Sequence, residues 1–150
     1  MQVKDIMTKK VVTVPTTMEV HELARLFIEK DISGAPVVDK EGQYLGVVKE
    51  EGLIFQDKKL HLPTVLHLSM GFLTLGAGRL DEEMKKMAGT TVGDIMETEV
   101  RTLSPHTSVE DVATMIVEEG IHYFPVLEDD TLVGVVTRKD IVRAIAKGTL

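Results

Sequence analysis

A chain of 150 residues, 43% hydrophobic and 27% charged, has the composition of a domain able to bury one sizeable core. Having no cysteine excludes disulfides, thiolate metal sites and a cysteine nucleophile, and a formal net charge of −7 argues against duplex nucleic acid, which is bound by neutralising phosphates. No charged and apolar leader opens the chain and no clean apolar run reaches about 20 residues, so the expectation is no export signal, no membrane span and, by default, the cytoplasm.

From its first residues the chain sets out a pattern that it later repeats. Val3-Lys4-Asp5-Ile6-Met7 returns 89 positions on as Val92-Gly93-Asp94-Ile95-Met96, and the same register aligns Thr13 with Thr102, Val20 with Val109, Ala24 with Ala113 and Pro36 with Pro125. Each copy reads as a strand, a helix, two strands and a second helix. The first copy occupies 1–57, an insert 58–90, and the second copy 91–150.

In chain order, Val20, Leu23, Ala24, Phe27 and Ile28 follow the spacing of a helix with one apolar face, and Val109, Val112, Ala113, Ile116 and Val117 reproduce it. Thr16 with Glu19, and Thr107 with Glu110, have the spacing of a reciprocal cap at a helix start. Pro36-Val37-Val38 and Pro125-Val126-Leu127 then read as strands opened by proline. The polar turns Lys40-Glu41-Gly42 and Asp129-Asp130-Thr131 make the last two strands of each copy antiparallel neighbours. A closing helix carries Ile141, Val142, Ala144 and Ile145, with Arg143 and Lys147 near its negative end and Gly148 just beyond.

The insert has an apolar front half from Leu60 to Leu75, too greasy to leave in water as one patch. It covers either this protein's own core or a subunit or partner contact. The back half, 79–88, reads as an exposed helix with Asp81 and Lys85, and Glu82 and Lys86, at pairing distance.

Lys9-Lys10, Lys58-Lys59 and Arg138-Lys139 are either solvated surface pairs or anion contacts. His21, His61, His67, His106 and His122 have no metal-ligand spacing, so no metal site is expected. No phosphate loop, dinucleotide fingerprint or nucleophile elbow is present, so catalysis is not expected either. The methionines, Met84 and Met87 among them, read as adaptable core or interface filler.

Several stretches together resemble the tandem motifs of the cystathionine-β-synthase (CBS) domain family, whose pairs are called Bateman modules. In copy one these are Asp5-Ile6-Met7-Thr8, Thr13-Val14-Pro15, Ile32-Ser33-Gly34-Ala35-Pro36-Val37-Val38 and Leu45-Gly46-Val47-Val48. In copy two they are Asp94-Ile95-Met96, Thr102-Leu103-Ser104-Pro105, Gly120-Ile121-His122-Tyr123-Phe124-Pro125-Val126-Leu127 and Val133-Gly134-Val135-Val136-Thr137-Arg138-Lys139-Asp140. The resemblance implies an α+β fold of two βαββα motifs packed through their sheets about a pseudo-twofold axis, with two clefts between them. It also implies a regulatory module, adenosine-containing ligands (AMP, ADP, ATP or S-adenosylmethionine) in the clefts, a homodimer and a separate effector protein.

Within that frame copy two carries the binding chemistry. A helix starting near Arg138 turns free N–H groups toward a phosphate, the Thr137 hydroxyl adds a donor, and Arg138 makes either a phosphate contact or a surface ion pair. Asp140 can accept from both hydroxyls of a ribose, although Thr137 and Asp140 also suit a helix cap. The stretch Ile121, His122, Tyr123, Phe124 and Pro125, with the strand from Val100 to Thr102, would wall the adenine. Of Tyr123 and Phe124 one is expected in the core, because neighbours in a strand face opposite ways. His122 can donate to a phosphate.

Copy one departs from the pattern. Lys49, Glu50, Glu51 and Gly52 stand where copy two has Thr137 to Asp140, so the expectation is one ligand per chain. The competing expectation is an assembly protein that uses the fold and its apolar insert without a small-molecule ligand.

Overall fold

The structure, a computed structural model, describes residues 1–54 and 90–150. The expected apolar segment and exposed helix of the insert lie outside the described residues. In the first motif a short helix α1 (Val3–Ile6) is followed by α2 (Val20–Lys30), β1 (Gly34–Val38) and β2 (Tyr44–Lys49), then a helical run over 50–54. The second motif repeats this order as α3 (Val92–Ile95), α4 (Val109–Glu119), β3 (Tyr123–Glu128), β4 (Thr131–Thr137) and α5 (Arg138–Ala146). Each motif contributes an antiparallel pair, β1 with β2 and β3 with β4, as the hairpin reading expects.

The opening strand of each motif is reduced to a single parallel bridge, Val14 to Val37 and Leu103 to Val126. The leading residues are engaged elsewhere. Thr8 exchanges both backbone hydrogen bonds with Val135 of the other motif (2.9 and 3.0 Å), and Glu97 does the same with Val47 (2.8 and 2.9 Å). Val3 N–H donates to Thr107 and Val92 N–H to Met18, so each short leading helix is tied to the opposite motif's helix start. Val3 accordingly packs in the core of the second motif with Leu103, Val112, Phe124, Val126 and Val136, and Val92 in that of the first with Val14, Leu23, Phe27, Val37 and Val48. The two motifs have exchanged their leading segments.

Glycine permits the crossings. A Cβ on Gly46 would lie 2.3 Å from the Glu97 carbonyl oxygen, and one on Gly134 would lie 2.8 Å from Met7 Sδ and 3.0 Å from the Thr8 carbonyl oxygen. Between the motifs Val47, Tyr123 and Val135 form a third apolar cluster, with Val11, Tyr44 and Val100 at its edge, so the sheets meet as expected.

Several local expectations need correction. Thr16 and Glu19 do not cap α2, because the helix starts at Val20, three residues later than that spacing requires, and Glu19 itself is its N-cap. Ser108, not Thr107, caps α4, accepting from Asp111 N–H at 3.1 Å. Reciprocal boxes form at Gln2 with Asp5, Thr91 with Asp94 and Thr137 with Asp140. Pro36 and Pro125 sit third in their strands rather than opening them. Thr131 belongs to β4, leaving Asp129 and Asp130 as a two-residue turn, both with positive φ, as a tight hairpin with matching twist requires. Ile28 and Val117, last in their apolar stripes, are each 83% exposed.

Candidate functional site

Where β4 gives way to α5, the backbone leaves its sheet at Thr137 and Asp140 comes one turn into the helix, facing inward. Asp140 is the one buried charged side chain among the described residues, at 3% exposure. A buried carboxylate is costly unless its oxygens are supplied with donors. Here Oδ2 accepts from the backbone N–H of Thr137 at 2.8 Å and from its hydroxyl at 3.3 Å. Oδ1 accepts from the Thr8 hydroxyl at 2.8 Å and from Arg143 Nη1 at 3.0 Å. Thr8 belongs to the first motif, so the carboxylate is held by both.

Asp140 lines a cavity of about 670 Å3, within the roughly 300–1,000 Å3 typical of small-molecule sites. The second motif contributes His122, Tyr123, Val135, Thr137, Arg138, Lys139 and Arg143 to its walls. From the first come Thr8, Lys10, Val11 and Val12 of the exchanged segment, the end of α2 from Phe27 to Ile28, the turn from Asp31 to Gly34, and Glu50. Lys139 pairs with Asp31 across the cavity at 3.4 Å, while Lys10 and Arg138 have no ion-pair partner among the described residues.

Of the residues singled out from the sequence, Thr137, Arg138, Asp140, His122 and Tyr123 come together around this cavity. Ile121 is half-buried against the second motif's core, Phe124 is fully buried within it, and Pro125 is buried in β3; none of the three lines the cavity. The alternation expected of Tyr123 and Phe124 holds, with Tyr123 toward the other motif over Gly34 and Phe124 in its own core. Val100 and the exposed Thr102 lie away from the cavity, Val100 against the cluster between the sheets. The backbone edge comes instead from 10–12 of copy one, because the exchange carries that stretch across and takes 97–102 the other way. Val11, Val12, Phe27, Asp31 and Glu50 are therefore wall residues that the sequence reading missed, while Lys10, from one of the candidate basic pairs, is also in the wall. The cross-motif pairing is long range and has no local signal, although the repeat of Met7-Thr8 as Met96-Glu97 marks the crossing points.

Two groups have unusual surroundings. His122 Nδ1 is buried and finds no hydrogen-bond partner among the described residues. Such a group calls for an explanation, and its place in the cavity wall makes it available to a ligand. Burial raises the pKa of Tyr123, with Tyr44 and Asp140 adding to the effect, so its phenol stays un-ionised.

Equivalent positions of the first motif have different chemistry. Lys49 stands at the place of Thr137 and Gly52 at that of Asp140, and Lys49 Nζ pairs with Glu97, the counterpart of Thr8, at 3.3 Å. Where one motif meets the opposite leader through a carboxylate and a hydroxyl, the other does so through an ion pair.

Comparison with known proteins agrees with the repeat. The family profile described as CBS domain matches residues 3–58 and again 92–147. An uncharacterised protein of Methanocaldococcus jannaschii is 33% identical, over 97% of this chain and 91% of its own length. The crystal structure of CBSX2 in complex with AMP, a protein of Arabidopsis thaliana, superposes with a TM-score of 0.75 at 26% identity, covering 99% of this chain and 98% of that one. A CBS domain pair, that of protein MJ0100 in complex with 5′-methylthioadenosine and S-adenosyl-L-methionine, gives 0.68 at 25% identity, over 97% and 99% of the two chains. The chain spans 63% of CBSX1 of Arabidopsis and 14% of the A-adding tRNA nucleotidyltransferase of Aquifex aeolicus, so the same stretch also occurs inside longer proteins.

Proposed function

We propose, because this chain belongs to the CBS domain family and carries two of its motifs in tandem, that it is a regulatory module sensing an adenosine-containing ligand in the cavity at Asp140. The observation that carries this reading is the pairing of a buried carboxylate with the start of a helix in the wall of a ligand-sized cavity. Asp140 takes the ribose hydroxyls, and the N-terminus of α5 with Thr137 and Arg138 takes a phosphate. Tyr123, His122 and the 10–12 edge flank the base. Solved relatives bound to AMP and to S-adenosyl-L-methionine support the ligand class.

We take residues 1–57 and 91–150 as the two motifs and 58–90 as an insert, with one ligand per chain, since Gly52 has no side chain with which to hold a ribose. Regulation follows from the walls. A ligand touching both motifs favours the docking of one on the other that fits it, and any contact sensitive to that docking feels its presence. A homodimer is the nearest such contact, with a separate effector protein beyond it. Catalysis has no part in this reading.

Titration calorimetry with AMP, ADP, ATP and S-adenosylmethionine tests it. Binding near one per chain is expected with at least one of them, and Asp140→Ala, still folded by circular dichroism, should lose it by roughly tenfold or more, the value of a hydrogen bond to a charged group. Binding unchanged in the variant would remove Asp140 from the site. No heat with any ligand, beside a stable dimer, would favour the assembly role instead.

A further inference from the structure

We propose that Arg143 selects phosphorylated over unphosphorylated adenosine ligands, by occupying the Asp140 carboxylate until a ribose displaces it and then pairing with the ligand's phosphate. The inference rests on the assignment of Asp140 as ribose anchor and adds a residue and a ligand class to it.

The carboxylate has no acceptor capacity to spare. It offers about four lone-pair positions, and four protein donors already use them. A ribose hydroxyl therefore reaches Asp140 only if a donor leaves. The Thr137 N–H is fixed in the cap of α5, and the hydroxyls of Thr137 and Thr8 can turn but stay beside the carboxylate, because both backbones are held. Arg143 is the mobile member: a long side chain on the turn after Asp140, 55% exposed, over a carboxylate that is 2% exposed. An ion pair with so wet a partner contributes little and is readily exchanged.

Displacement creates a need. Once off Asp140, the guanidinium stands in a cavity wall where Lys10 and Arg138 are also without an ion-pair partner among the described residues and Asp31 is engaged by Lys139. Glu50 and Asp140, whose charge a neutral ribose does not cancel, are the remaining carboxylates of that wall, against three cations. A phosphate meets the guanidinium fork with two parallel hydrogen bonds, whereas a neutral nucleoside leaves it unpaired and a sulfonium adds to the positive charge. The same exchange that admits the ribose thus favours a ligand with a phosphate on it.

Calorimetry of the full chain with AMP and with adenosine tests the assignment, in the wild type and in Arg143→Ala and Arg143→Lys. The wild type should bind AMP more tightly than adenosine. In Arg143→Ala that preference should fall roughly tenfold or more, the range of a charge-assisted hydrogen bond, while adenosine holds or tightens because its competitor for Asp140 is gone. Arg143→Lys, with the charge but not the fork, should fall between. A purely structural Arg143 would weaken both ligands alike, and an unchanged AMP-to-adenosine ratio in Arg143→Ala would overturn the proposal while leaving Asp140 in place. If neither compound binds the wild type, or if Asp140→Ala binds both as well as the wild type does, the underlying ribose site fails and this inference with it.

Discussion

At the scale of single residues the demands of the fold and of binding fall on the same atoms. Asp140 closes the cap of α5, which realises the capping reading of the Thr137 and Asp140 spacing, and the same carboxylate lines the cavity of the proposed function. The glycines at the crossings bear on the fold alone. Replacing Gly46 by Ala drives a methyl to 2.3 Å from a backbone oxygen that cannot turn away, so the Glu97 segment must shift. We expect a loss of about 1–3 kcal/mol in urea denaturation. A variant as stable as the wild type would mean that the segment crosses more loosely than the structure has it. Such a role was invisible in the sequence, where Leu45-Gly46-Val47-Val48 reads as a strand with one weak residue; only the opposite leader gives the missing Cβ its meaning.

At the scale of elements, what was legible was what is local. The apolar spacing of α2 and α4, the two hairpins and the start of α5 at Arg138 were readable because period, turn chemistry and capping residues lie within a few positions of each other. The opening strands were misread because a single bridge needs only a few extended residues, and the walls at 11–12 and 27–34 were missed because they are set by contacts far apart in the chain. Helix starts test the corrected reading. Ser108→Ala should cost about 1 kcal/mol, the value of an N-cap, while Thr16→Ala should stay within about 0.5 kcal/mol. Chemical denaturation of the two side by side decides it, and the reverse order would restore the Thr-x-x-Glu cap.

At the scale of the whole molecule the repeat leaves apolar side chains uncovered at matching places. Ile28 and Val117 are equivalent and both 83% exposed; Ile54 and Val142, also equivalent, are 67% and 63% exposed. Such large side chains on adjoining helices suit a second copy of the chain, the dimer of the proposed function. Light scattering should give a dimer for the wild type and a monomer for Val117→Asp, which puts a charge at the contact while sparing the cavity lining. A monomeric wild type, or a variant that stays dimeric, would take this surface out of the dimer. Because Ile28 also lines the cavity, the proposed ligand and the proposed dimer contact would meet on the last turn of α2, a short path between them.

The exchanged leading segments settle how this protein can be taken apart. A cut within the insert would leave two fragments, each holding a strand partner, a core valine and a stretch of cavity wall that the other lacks. Neither piece owns a finished hydrophobic interior or a finished pocket. The smallest portable unit of this molecule is therefore the couple, and a transplant of the second half alone would carry the aspartate without the site.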